Sequence, residues 1–329
     1  WHARRARSML QKRSYQRDIS YQSIDYLKNL LNNSENSDHR LRALWSLHVI
    51  SKYVDTDFEK LLNDKDEYIR GWSIKHIAED KNVSDDILEK FKTLSDTDLS
   101  PFVRLELASA VQRVDFDRRW DVLESLVLKS QDIKDNKIPH MIWFALEPLV
   151  ALNPTRSLNI ANISEIPMIT EYVARRLADA EILTPLVENL KTSNKKDILL
   201  EGMLASVEGN LEIKPPSNWD SVYDLLKKDN KSKEKALQIS QLFGSNEATV
   251  EFIKILKDKS QSIEKRTKSL NSISLKSPDE LYSIIPSLIV EKEMRIPAIR
   301  SIQNLQEKGD FIYPILYNYE DKGDIIPLE

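Results

Sequence analysis

The stretch Asp98-Leu-Ser-Pro-Phe-Val-Arg-Leu-Glu-Leu-Ala-Ser-Ala-Val-Gln-Arg-Val114 is the unit from which the chain is built. Ser100 is suited to cap a helix. Pro101 suits the first turn, because the N–H it lacks has no intrahelical partner there. Val103, Leu107, Ala110, Val111 and Val114 then fall on one helical face. A weaker copy lies earlier, Asp66-Glu-Tyr-Ile-Arg-Gly-Trp-Ser-Ile-Lys-His-Ile77, and another before it, Asp38-His-Arg-Leu-Arg-Ala-Leu-Trp-Ser-Leu-His48. Each has an acidic start, an apolar residue, an arginine and then an apolar helix.

Working outward, the helices are expected in pairs. First helices are predicted near Tyr21, Thr56, Ser84, Arg119, Pro154, Glu181, Asn218, Glu247 and Asp279. Second helices are predicted near Asp38, Asp66, Pro101, Lys137, Ile166, Asp197, Ser232, Gln261 and Met294. A basic helix over 1–13 precedes them and an unpaired helix, Asp310 to Tyr319, follows. Gly209, Gly244 and Gly309 stand where a left-handed helix cap is needed. No segment alternates with period two over a strand's length, so no sheet is expected. Helix pairs at a period of roughly thirty residues or a little more are the signature of an α-solenoid. The fold expected is all-α: a HEAT-like, armadillo-like solenoid, a right-handed superhelix of about nine to ten antiparallel pairs, since a pair cannot bury its apolar face alone. Residues 1–329 read as a single solenoid, with a sub-boundary, if there is one, near 209–218. Second helices are rich in Trp and Arg before about residue 178 and plainer after it.

Composition narrows the function classes. A chain of 329 residues that is 41% hydrophobic and 30% charged can bury a core and stay in solution. A formal net charge of −4 gives no global pull towards nucleic acid or anionic lipid. No apolar run approaches the length of a membrane span. The chain has no cysteine, which excludes disulfides, thiol catalysis and cysteine-ligated zinc or haem within it. Trp1 falls inside a helical pattern with no signal sequence before it, so a segment of a longer protein is expected.

Several stretches in residues 1–178 carry a resemblance: Trp1-His-Ala-Arg-Arg5, Leu41-Arg-Ala-Leu-Trp-Ser-Leu-His48, Ile69-Arg-Gly-Trp72, Val103-Arg-Leu-Glu-Leu-Ala-Ser-Ala-Val-Gln-Arg113, Met141-Ile-Trp-Phe-Ala-Leu-Glu-Pro-Leu-Val150 and Ile166-Pro-Met-Ile-Thr-Glu-Tyr-Val-Ala-Arg-Arg-Leu177. They resemble the HEAT-repeat region of large exported bacterial proteins of the membrane-bound dehydrogenase kind. Members of that family join a sugar-dehydrogenase-like propeller, HEAT repeats and a c-type cytochrome domain. The resemblance implies a periplasmic or extracellular location and a redox-active parent. It also implies that the redox chemistry lies elsewhere, because neither the propeller nor a Cys-x-x-Cys-His is present.

The candidate residues each have a structural and a functional reading. The series Asp38/Arg42, Asp66/Arg70 and Asp98/Arg104 reads as a ladder tying each repeat to its neighbour, or as a ligand-lining surface. Trp45, His48, Trp72, His76 and Trp143 lie on second helices, where amphipathic aromatics serve either as inter-repeat core or as binding hot spots in a groove. Arg104, Arg175 and Arg176 join them as candidate groove residues. Glu147 and Pro148 close an otherwise apolar helix, which the proline should bend or end. His76 and Asp80 are one helical turn apart and could hold a metal only loosely. No catalytic residue, cofactor or metal is expected in this segment. The function expected is a non-catalytic interaction or scaffold module whose partner is protein, either flanking domains or another polypeptide. Two other readings stand beside it: a HEAT-like nucleic-acid binder or DNA glycosylase, and a lyase-like solenoid gripping an acidic small molecule.

Overall fold

The computed structural model describes residues 2–52, 55–208 and 212–305. The helix expected over 310–319, the caps at Gly209 and Gly309, and the start of the 209–218 stretch lie outside them. The described residues form helices, turns and loops, with no strand among them. The helices are α1 (His2–Gln16), α2 (Tyr21–Asn33), α3 (Ser37–Val49), α4 (Asp55–Leu61), α5 (Glu67–Ile77), α6 (Asp85–Thr97), α7 (Pro101–Ala110), α8 (Trp120–Leu126), α9 (Ile138–Val150), α10 (Pro154–Ile163) and α11 (Pro167–Asp179). They continue as α12 (Leu183–Asn189), α13 (Lys196–Val207), α14 (Trp219–Leu226), α15 (Lys233–Leu242), α16 (Asn246–Lys257), α17 (Ile263–Lys276), α18 (Ile285–Val290) and α19 (Arg295–Ser301). Most starts fall within two residues of those read from the sequence. The exception is the helix expected from Asp279: a 3-10 turn, Pro278–Leu281, comes first and α18 begins only at Ile285. No described helix is long and apolar enough to cross a membrane.

The chain divides into two compact units, Trp1–Val173 and Ala174–Glu329, the division falling inside α11 and close to the change in second-helix composition. In the first unit the second helices stack directly on one another: α1 on α3, α3 on α5, α5 on α7, α7 on α9. First helices lie alongside as a second layer, α2 on α3, α4 on α5, α6 on α7, α8 on α9. The second unit repeats the scheme, α13 on α15, α15 on α17 and α17 on α19, with α14, α16 and α18 beside them. This is all-α, solenoid-like stacking of helix pairs.

The sequence of α7 shows why. Val103, Leu107, Ala110, Val111 and Val114 are all at most 3% exposed, as their spacing requires. Burying each large apolar side chain is worth roughly 1.5–3 kcal/mol, and only neighbouring pairs can cover this face. Ser100 Oγ accepts from Val103 N, and Pro101 occupies the first turn. Gly71 lets α5 approach α7 closely: a Cβ there would lie 2.4 Å from Cε1 of Phe102. Pro148 is tolerated because it sits in the last turn of α9, which ends two residues on.

The turn inside most of the pairs has a shared chemistry. The side chain two residues before the second helix's cap accepts from a backbone N–H in six of the described pairs: Ser34 from Asn36, Asp64 from Asp66, Asp98 from Ser100, Asp135 from Lys137, Ser164 from Ile166 and Ser193 from Lys195; before α15 the acceptor is Asp229, three residues ahead of the cap Ser232, bonded by Lys231 N. These are Asx and Ser/Thr turns, which replace a backbone turn bond and need no glycine. Helix ends are equally sparing of glycine. Gly244 takes the left-handed cap at φ +81° after α15, as expected, but Ser51 (φ 54°) and Glu181 (φ 58°) perform the same role after α3 and α11. Their following residues complete the cap, Lys52 N to Leu47 O and Ile182 N to Leu177 O.

The ladder of arginines is present with a corrected register. Each arginine reaches forward to the turn of the next pair rather than to the acid beginning its own helix. Arg40 on α3 holds Asp64 (Nη1–Oδ1 2.9 Å), Arg70 on α5 holds Asp98 (2.6 and 2.8 Å), and Arg104 on α7 holds Asp132 (2.6 and 2.6 Å). Arg266 on α17 reaches Glu291 at 2.8 Å in the second unit. The same guanidinium groups donate to carbonyls of their own pair, Arg40 to Leu31, Arg104 to Asp98 and Leu99, Arg266 to Leu256. Arg42, expected in this ladder, instead meets Asp38 at 3.8 Å in the open, since its position on α3 turns outward. Burial works to raise the Asp64 carboxyl, but the hydrogen bonds from Arg40 and from Asp66 N outweigh it and hold Asp64 below the ordinary range. A second series runs backward along the outer layer, Arg118 to Asp85 and Arg156 to Asp121 and Glu124.

Breaking a buried charge pair strands the remaining partner. Asp98 is 4% exposed and Arg70 16%, whereas Asp38 and Arg42 are 76% and 55% exposed. Asp98→Ala is therefore expected to cost about 3 kcal/mol or more in denaturant unfolding. Asp38→Ala should cost under about 1 kcal/mol. Equal costs would contradict the forward register.

Candidate functional site

The candidate surface lies on the stacked second helices of the first unit. Their buried faces are aliphatic, so the larger amphipathic rings are pushed to the edge of the core, where they meet their neighbours. Trp45 on α3 and Trp72 on α5 touch edge-on with centroids 4.9 Å apart. Tyr68 on α5 and Phe102 on α7 lie 5.1 Å apart, and Trp143 on α9 and Tyr172 on α11 lie 5.3 Å apart. The three tryptophans are half-buried, serving the core with one edge and the surface with the other. Tyr68 and Phe144 are exposed at 46% and 54%. Two cations stack on this face: the Arg7 guanidinium lies 4.9 Å over Trp45 and the Lys75 ammonium 4.6 Å over Trp72. The basic leading helix α1 thus uses Arg7 against Trp45 of α3.

The candidate residues do not all share this surface. Arg104 is 1% exposed, and its guanidinium is committed to Asp132 and to the Asp98 and Leu99 carbonyls. It is a core rung, not a groove residue. Arg175 is exposed and lies 4.0 Å from Asp179. Arg176 is half-buried.

His48 and His76 come together more closely than their sequence separation suggests. Each sits near the C-terminal end of its helix, α3 and α5, and the direct stacking of those helices places the rings 3.8 Å apart, tilted by 30°. Glu79, three residues beyond His76, turns back to both: Oε2 is 3.0 Å from His48 Nε2 and 3.5 Å from His76 Nδ1. Phe58 and Trp72 flank the His76 ring at 5.0 and 5.5 Å. Burial first, and the neighbouring His48 second, push the His76 imidazole down to about 4, with Glu79 opposing them. Asp80, the acid the sequence offered beside His76, is not the one that closes this group. On the next second helix, α7, burial raises the Glu106 carboxyl, and Lys75 of α5 counters it.

The second unit holds a cleft of about 940 Å³ bordered by α14 to α17. Lys227, Lys254 and Lys265 alternate there with Glu247, Glu251 and Asp258, so it presents no single sign of charge to a ligand. The sequence had not indicated it, because its lining comes from four helices whose charges are unremarkable one by one.

The fold and these sites define a class, an all-α stack of helix pairs with an aromatic second-helix face. Comparison of the chain with protein-family models, curated proteins and solved structures gives no match.

The depressed His76 value has a consequence with a defined sign. A histidine lowered on folding adds stability above its unfolded value of 6.5 and loses it as pH falls towards about 4. In chelator-containing buffer, unfolding free energy is expected to decline over that window by up to roughly 3 kcal/mol. His76→Phe should flatten the decline, while an unaltered slope would contradict the buried neutral imidazole.

Proposed function

We propose that this chain is a non-catalytic, HEAT-type interaction and scaffold module of a larger exported redox protein, and that its partner is protein, bound on the second-helix face of residues 1–173. The observation that carries the reading is the row of ring contacts, Trp45–Trp72, Tyr68–Phe102 and Trp143–Tyr172, each bridging adjacent second helices. Half-buried aromatics on a stiff helical layer are already ordered, so a partner binding them pays little conformational entropy. The exposed Phe144 and Tyr68, with Arg7 over Trp45 and Lys75 over Trp72, give that face the apolar centre and cationic rim typical of protein interfaces. The exported redox context and the periplasmic or extracellular location rest on the resemblance of residues 1–178. The net charge of −4 lends no support to a nucleic-acid partner.

Photo-crosslinking in the native host tests the reading. A benzophenone residue at Lys75 or Phe144 is expected to give one discrete protein adduct, with none from Asp86 on the outer helix α6. Equal adducts from both faces, or none from Lys75 and Phe144, would overturn the assignment. Salt-sensitive retention of duplex DNA by the same face would move it to the nucleic-acid reading.

A further inference from the structure

We propose that His48, His76 and Glu79 form a binding site for one divalent transition-metal ion of the zinc class, clamping α3 to α5. The ligand atoms offered by these three side chains all lie within 4.8 Å of one another. The set is two imidazole nitrogens and one carboxylate oxygen, which suits zinc and its first-row neighbours rather than magnesium or calcium.

Three observations carry the assignment. The separations fit a metal polyhedron: Glu79 Oε2 stands 3.0 Å from His48 Nε2 and 3.5 Å from His76 Nδ1. Ligand atoms about 2.0–2.1 Å from a tetrahedral zinc lie about 3.3 Å from each other. The His76 side chain is only 7% exposed, yet neither of its ring nitrogens has a hydrogen-bond partner. Buried polar atoms are normally satisfied, and a cation between His76 and Glu79 supplies the missing partner. The positions are also fixed beforehand. Glu79 N donates to His76 O, so two ligands share one turn, and the ring contacts with Phe58 and Trp72 hold the His76 plane. His48 arrives from the adjacent pair. Glu79 is 53% exposed, so the open side admits water as a fourth ligand.

The site goes beyond the docking proposal and stands independently of it. Bound metal would join neighbouring helix pairs beside the Trp45–Trp72 contact, stiffening that part of the wall.

The test is titration of the chelator-treated 329-residue chain with Zn²⁺ against a chromophoric competitor, and separately with Co²⁺. The expected result is one equivalent bound, visible d–d bands of a low-coordinate Co²⁺ centre and a raised Tm. His48→Gln and Glu79→Gln, both at partly exposed positions, should each weaken binding more than ~10-fold. His140→Gln, on α9, should leave it intact, and circular dichroism should confirm that all three variants are folded. No uptake by the unaltered chain, or one equivalent retained in both ligand variants, would overturn the site. Crosslinking at Lys75 without metal leaves the docking proposal standing, so the two fail separately.

Discussion

The forward charge pair between successive helix pairs, best seen at Arg104 and Asp132, is the constraint on which the stack depends. Both side chains are almost wholly buried, at 2% and 3% exposure. Neither charge is tolerable there without the other. The guanidinium also gathers the Asp98 and Leu99 carbonyls of its own pair, so a single planar group joins one turn to the next. Apolar faces alone would let adjacent pairs slide, because aliphatic packing accepts many registers. A buried fork with one matching carboxylate accepts only one.

That constraint explains how an irregular repeat stays in order. The lengths of the first helices vary and one is replaced in part by a 3-10 turn, but the turn chemistry recurs before the second helices from α3 to α15. Two of the turn aspartates, Asp64 and Asp98, serve two hydrogen-bonding tasks at once: each accepts from its own turn and from the preceding pair's arginine. Where the turn residue is serine, as at Ser34, the side chain accepts from its own turn. With register settled by charge, the rim of the second helices is free to carry Trp45, Trp72 and Trp143. The same direct stacking of α3 on α5 brings His48, His76 and Glu79 together.

Much of the architecture was legible in the sequence, because a 3.6-residue apolar pattern recurs and a proline or capping residue marks many of the starts, as at Ser84, Ser100 and Pro154. The buried face of α7 is the clearest instance. The arginine ladder was legible in kind but not in register. Arg42 and Arg40 are two residues apart on the same helix, and spacing alone does not say which turns inward. A usable signal was the acid two residues before the cap, at Asp64 and Asp98; Asp132 follows no such rule. Left-handed caps at Ser51 and Glu181 were invisible to a rule that looks for glycine. The histidine pair was illegible because its ligands come from neighbouring repeats, and sequence offers only local partners such as Asp80. The clustering of Trp45, Trp72 and Trp143 on second helices could be read in advance, but their half-buried state could not, since it depends on the width of the inter-helix seam.

A double-mutant cycle at Arg104 and Asp132 tests the central claim most directly. Unfolding free energies would be measured for Arg104→Met, Asp132→Leu and the combined variant. Each single change should cost about 3 kcal/mol or more, since it leaves a charge buried alone, while the double should cost far less than their sum. Additive single costs would mean that the two residues do not share one buried contact, and the stack would need another source of register.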